Sequence, residues 1–399
     1  MERFVPGTNT LITKLHTYSI MKITNKISVA LLTMFSLPTF AQDADFSAPT
    51  TDPVTAEKEV VEEEEGKTFA LSGYVDAYGQ KVFNDAEGTS TPLAFPTSFA
   101  QENEGFGIGN VNLLLEHQMG KIGFVGQVGF GPRATAANGD AFPNVQQLFV
   151  TYAPTDAITL TLGNFGTFVG YEVIDAPANV NYSTSYMFSN GPFYHTGLKA
   201  DVAISENFGA MVGIFNDTDQ KFNTEDGFHY GAQLSAEAGG FSAYLNFLGG
   251  TVDNEVLPDE DRNEFQVDLT AGYDVSESLY FGLNATSKTV SFDGESEGGF
   301  TGIALYSTIG LTDASAIGLR AELFNDVAPD ALAIDNRSVF SLTASGNITI
   351  NEALRIIPEL RFDSSSDFAT TYGEGGIDFG GSEEDDSVAS FILAAVYSF

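Results

Sequence analysis

Three features of this 399-residue chain predict an all-β fold, a transmembrane antiparallel β-barrel of the outer-membrane type with about sixteen strands. The first is the alternation of its closing stretch, Ser387 to Phe399, with the period of two that a pleated strand imposes on its side chains. The second is a body that divides into strand-length segments joined by connections that are alternately very short and long. The third is the lack, outside the amino-terminus, of any apolar run near the ~18 residues that a spanning helix needs.

In order along the chain, Met21 opens a secretory signal. Lys22 and Lys26 supply its positive end, Ile27 to Leu37 its apolar stretch, and Pro38 to Ala41 a cleavage site, giving a mature start at Gln42. Residues 1–20 add nothing to that signal and read as a misassigned gene start. Residues 42–67 are rich in Asp, Glu, Thr, Ala and Pro, a composition too poor in apolar surface to fold; they are expected to form a disordered acidic periplasmic arm. The barrel is expected over residues 68–399.

Composition limits the function. The 54 acidic against 17 basic residues leave a net charge of −37, which repels nucleic acid and favours cations or neutral solutes over anions; acidic loops that keep a surface-exposed protein soluble are the other reading. Without a single Cys there is no disulfide scaffold and no thiolate metal site.

From Thr68 onward the segments read as sixteen strands. They are Phe69 to Phe83, Phe106 to Gln118, Ile122 to Phe130, Asn144 to Tyr152, Ile158 to Phe165, Phe193 to Ala203, Phe208 to Asn216 and Phe228 to Ala238. Phe241 to Thr251, Asn263 to Tyr273, Leu279 to Phe292, Phe300 to Leu311, Ala316 to Phe324, Arg337 to Ile348, Leu354 to Asp363 and the closing stretch complete the set. Short turns such as Gly239-Gly240 fit the periplasmic side and long connections the external side; an even count returns both ends of the barrel to the periplasm. A soluble sandwich has no reason to alternate its loop lengths.

The strand faces agree. In Asn263 to Tyr273, Phe265, Val267, Leu269, Ala271 and Tyr273 oppose Gln266, Asp268, Thr270 and Gly272. Lipid cannot satisfy the polar face, so it must line a lumen, and the sheet must close to leave no unpaired edge. With no Trp, the interfacial girdles fall to Tyr and Phe, among them Tyr152, Phe208, Tyr273 and Phe399. In the closing strand Phe399, Tyr397, Ala395, Leu393 and Phe391 share one face, and Phe399 is the expected assembly signal.

Charges at inward positions are candidates for the pore lining or a constriction: Asp76, Glu116, His195, Lys199, Asp201, Glu237, Asp268, Lys288, Arg320, Glu322, Arg355, Glu359 and Arg361. They can brace the wall by pairing across strands, or set up a transverse field that orients solutes. The long connection from Gly166 to Pro192 is unusually apolar, and its aromatic residues require a surface to pack on. Folding into the barrel mouth would bring Glu172 and Asp175 to the narrowest point; packing on the outer rim or at a subunit contact is the other reading.

Short motifs in the same segments carry a family resemblance. Gly73-Tyr74-Val75-Asp76-Ala77-Tyr78, then Gly163 with Gly170-Tyr171-Glu172, Asn181-Tyr182-Ser183, and Gly191-Pro192-Phe193 with His195-Thr196-Gly197, resemble the OmpL-like β-barrel porins common in Bacteroidetes. The resemblance extends from about Thr68 to Phe399. It departs at Gly79, where the family pattern has a second aromatic. It implies an outer-membrane channel, with no settled substrate and no catalytic residues.

The expected function is therefore that of a porin of a Gram-negative outer membrane, passing small hydrophilic solutes by diffusion. Its partners would be outer-membrane lipid and lipopolysaccharide, the assembly machinery and those solutes, with no nucleic acid; homo-oligomerisation is left open. A non-conducting barrel that binds surface ligands through its loops is the alternative. An enzyme is not expected: a barrel hydrolase would need a triad-like grouping, for which only His195 with Asp175 and Ser183 offers the residue types. The acidic runs Asp253 to Asp261 and Glu383 to Asp386 lack the spacing of a calcium loop, so no metal or other cofactor is expected.

Overall fold

The computed structural model describes residues 67–83, 97–100, 104–139, 141–224, 226–253, 261–292, 295–327, 337–365 and 387–399. The expected gene-start extension, signal and nearly all of the acidic arm lie outside these residues.

Sixteen antiparallel strands close into one barrel. The first eight are β1 (Lys67–Phe83), β2 (Glu104–Met119), β3 (Ile122–Phe130), β4 (Val145–Thr155), β5 (Ile158–Gly166), β6 (Tyr194–Ala203), β7 (Phe208–Phe215) and β8 (Gly227–Ala238). The rest are β9 (Phe241–Asp253), β10 (Asp261–Ser276), β11 (Leu279–Phe292), β12 (Glu295–Thr312), β13 (Ser315–Val327), β14 (Arg337–Thr349), β15 (Leu354–Ser365) and β16 (Ser387–Ser398). Several strands, such as β10 and β12, run a few residues past the segments read from the sequence. Their external ends stay paired in the ladder although the alternation of side chains fades there.

Closure falls where the alternation of the last stretch requires it. β1 pairs with β16 from Tyr74 opposite Ser398 to Phe83 opposite Ala389. Phe399 continues the seam by exchanging both backbone hydrogen bonds with Gly73, at 3.1 and 3.0 Å. A Cβ on Gly73 would meet the Phe399 ring at 2.8 Å, so the glycine lets the terminal aromatic lie over the strand. Seams of this kind remove the last free edge of the sheet.

Outward positions are large and apolar: Phe69, Leu71, Leu148, Leu162, Tyr230, Phe265 and Tyr273 are all exposed on the barrel's outside. Gln233, Asn246, Gln266, Asp268 and Asn284 point inward and are buried. No helix among the described residues is long and apolar enough to cross a membrane. The helices among the described residues are short and belong to external connections. They are α1 (Pro132–Asn138), a 3-10 turn (Ala176–Ala178) and α2 (Tyr186–Asn190), the last capped by Ser185, whose Oγ accepts from Phe188 N. The sequence pattern, read for strands, did not anticipate them.

Candidate functional site: a loop folded into the lumen

The connection between β5 and β6 folds inward. Its apolar side chains find their surface inside the barrel, and from Thr167 to Phe188 every residue is buried except Gly170, Val173 and Pro177.

The path can be followed through its contacts. Phe168 packs between His195 and Phe215, with ring centroids 4.9 and 5.8 Å away. Gly170 N donates to Asp268 at 3.0 Å. Tyr171 stacks on Tyr306 at 4.1 Å and donates its hydroxyl to Tyr280 at 2.9 Å. Glu172 meets Arg320 at 2.6 Å. The chain then turns to another sector of the wall. Asp175 accepts there from Tyr74 on β1, Gln127 on β3 and Gln146 on β4, at 3.1, 3.0 and 3.0 Å. Burial raises the Asp175 carboxyl above its ordinary pKa, and these donated bonds pull against that shift.

Five more charged groups of the wall grip the loop's backbone. Glu359 accepts from Tyr182 N and Ser183 N at 2.7 and 3.1 Å, and Glu322 from Tyr186 N and Met187 N at 2.9 and 2.8 Å. Arg320 donates to Ser183 O at 2.7 Å, Arg361 to Thr184 O at 2.8 Å and Arg355 to Ala176 O at 3.0 Å. Each charge thereby exchanges its lost hydration for charge-assisted hydrogen bonds, the condition under which a charge tolerates burial.

The wall also supplies sockets. A Cβ on Gly231 or Gly302 would meet Phe168 Cζ or Met187 Cγ at 2.5 Å. One on Gly282 or Gly318 would overlap the Tyr171 hydroxyl or the Val180 side chain. Four inward glycines on four strands thus make room for four loop side chains.

A second anchor lies at a β-bulge, where Gly109 and Asn110 of β2 together oppose Asp76. Such bulges re-aim a side chain. Asp76 is buried, accepts from Asn110 N at 2.6 Å and from the Tyr182 hydroxyl at 2.7 Å, and lies 3.6 Å from Arg133. Arg133, on α1, also donates to Ile174 O at 3.2 Å and lies over the Phe99 ring at 4.3 Å. Above them Phe99, Ala137, Ile174 and Phe188 form an apolar cap on the external side.

Of the remaining candidates, His195 meets only the start of the loop and the others stand apart from it. His195 bonds Thr167 at 2.9 Å, and Lys199 pairs with Asp201 along β6 at 2.9 Å. Lys288 pairs with Glu264 across to β10 at 3.1 Å. Glu116 is half-buried at the short-turn end of β2, and Glu237 is exposed at that end of β8, bonded to the Tyr244 hydroxyl at 2.8 Å. Cross-strand bracing therefore accounts for Lys288. Arg320, Glu322, Arg355, Glu359 and Arg361 are engaged by the loop, with Arg361 also paired to Asp363 on its own strand at 3.1 Å.

Several loop contacts were not legible beforehand. Arg133 is a single basic residue in a connection, and Gln127, Gln146 and Asn347, which donates to Val180 O at 2.9 Å, are ordinary inward polar residues. The inward glycines alone left a signal, as gaps in the polar face with no evident partner. His195, Asp175 and Ser183 do not assemble into a catalytic grouping, since each is bound to different groups: Thr167 holds His195, Tyr74 with two glutamines holds Asp175, and Glu359 with Arg320 holds Ser183. No group of three or more His, Asp or Glu residues among the described residues is arranged to hold a metal ion.

Solved barrels share this architecture. The chain superposes on the anion-selective porin from Comamonas acidovorans with a TM-score of 0.58 at 17% identity, covering 84% of this chain and 100% of that one. It superposes on the outer-membrane protein OmpT of Vibrio cholerae with a TM-score of 0.56 at 12% identity, covering 84% and 99%. The outer-membrane channel DcaP of Acinetobacter baumannii gives 0.56 at 13%, with the same shares. At these identities the likeness concerns the fold. No curated protein matches the chain. A family model, "Putative beta-barrel porin-2, OmpL-like", matches residues 68–399, so the chain belongs to that porin family and its fold and family together support an outer-membrane location.

Proposed function

We propose that this protein is an outer-membrane channel that passes small hydrophilic solutes by passive diffusion and prefers cations or neutral molecules to anions. The observation that carries the reading is a closed sixteen-stranded wall with polar inner faces, wide enough to take a folded loop inside it. The acidic excess supports the selectivity, because it lowers the potential at the mouths and concentrates cations there. The engagement of the inward charges supports it too: Arg320, Arg361 and Lys288 are each paired with a carboxylate, so few cationic groups are left to attract anions. Planar-bilayer recordings under a salt gradient test it. Conductance steps with a cation-directed reversal potential are expected, whereas anion preference would refute the selectivity. A folded protein giving no steps under any condition would favour a non-conducting barrel that binds ligands by its loops. Export by a signal cleaved after Ala41, contact with lipopolysaccharide, and assembly guided by Phe399 belong to the same reading.

A further inference from the structure

We propose that the connection from Gly166 to Pro192 is a releasable plug that holds this barrel shut, and that conduction requires the loop to leave the wall. The inference rests on the channel reading above and goes beyond it by assigning the closed state to one segment.

Between its exposed ends the loop is buried along most of its length. A loop that lined an open pore would offer one face to water, yet between Thr167 and Phe188 only Gly170, Val173 and Pro177 keep appreciable exposure. It is also bound to separate sectors of the wall. Asp175 is tied to β1, β3 and β4, while Glu172 and the amides of Tyr186 and Met187 are tied to β13. A chain held inside the barrel at separate sectors of the wall obstructs the lumen.

The polar part of the attachment is of a kind that can be undone. The carboxylates of Glu322 and Glu359 and the guanidinium of Arg361 bind the loop by its main-chain N–H and C=O groups, which water can take over when the loop leaves. None of these bonds belongs to the barrel ladder, so the loop can undock as a unit while the wall stays closed. Ordering and release of a single segment is a common way to switch between two states.

A disulfide lock tests this, since the chain has no Cys of its own. A Gly318→Cys, Val180→Cys pair places two thiols where a Cβ on residue 318 would meet the Val180 side chain. Its companion is a deletion of residues 172–188 bridged by a Gly-Ser link. Heat-modifiable electrophoretic migration certifies that each barrel is folded before single-channel recording. The expected result is loss of conductance steps in the oxidised pair, their return on adding reductant, and steps larger than the wild type's in the deletion. An oxidised pair that conducts like the wild type, or a deletion whose steps are no larger, overturns the plug. Silence from the wild type, the reduced pair and the deletion alike, all folded, overturns the channel reading itself and the plug with it.

Discussion

Replacing Arg320 with Met should free the lumen loop from the wall while leaving the barrel closed. The Arg320 guanidinium is fully buried, 2.6 Å from Glu172 and 2.7 Å from Ser183 O, with Thr343 Oγ1 at 3.1 Å. Its removal leaves Glu172 buried with Ser185 N, at 2.6 Å, as its remaining donor. Breaking one partner of a buried pair costs about 3–5 kcal/mol, because the other charge stays behind uncompensated. Since the barrel ladder does not include this pair, the penalty should fall on local opening of the loop, raising the open population roughly a hundredfold or more. Chymotrypsin reports on that population, because Tyr182 and Tyr186 are buried when the loop is docked. When reclosing outpaces cleavage, the cleavage rate follows the open fraction. A Glu172→Gln, Arg320→Met double variant should be cut more slowly than Arg320→Met alone, because the stranded charge is gone. The reasoning is refuted if the single variant is cut at nearly the wild-type rate, or if the double variant opens further than the single one.

Gly282→Ala should displace Tyr171 and break its hydroxyl bond to Tyr280, at about 1–3 kcal/mol for overpacking, seen as faster chymotrypsin cutting; Gly126→Ala, with nothing within 4 Å of its Cβ, should have no effect. Asp219, in the β7–β8 connection, accepts from Phe193 N and Tyr194 N at 2.8 and 2.9 Å, where the loop rejoins the wall. Burial raises its carboxyl from 3.8 to about 7, so the native state holds a proton that the opened state releases. That attachment should therefore be strongest at or below pH 4, weaken as pH rises to about 7 and level off above it. Hydrogen exchange of the two amides, corrected for intrinsic rates, measures this, and Asp219→Asn should abolish the trend. Deleting Phe399 removes both backbone bonds to Gly73 and should lower the yield of heat-modifiable, folded barrel more than it changes the reversal potential of the molecules that do fold.

Strand number, strand faces and the position of the closing seam were legible in the residues because they depend on local rules. Side chains alternate along a strand wherever it runs, as Gln266 and Asp268 against Phe265 and Val267 show. An open edge is forbidden in lipid whatever the neighbours are, so Ser387 to Phe399 had to meet the first strand. The inward charges were legible as inward, but their partners were not. Arg320, Glu322 and Glu359 could be read as wall braces or as part of a constriction, because alternation gives a direction and not a partner.

The destination of the Gly166 to Pro192 loop was decided in three dimensions. Its apolar residues demanded a surface, which the lumen, the outer rim or a second subunit could each have offered. The lumen is where Gly231, Gly282, Gly302 and Gly318 leave space for Phe168, Tyr171, Met187 and Val180, and where carboxylates and guanidiniums stand within reach of the loop's amides and carbonyls. Those positions are far apart in sequence and converge only when the barrel closes. By itself the sequence determined a closed barrel with a polar interior, through periodicity and the demands of lipid. Only the tertiary structure decided what fills that interior, because fit between a loop and a wall is a property of the two surfaces brought together.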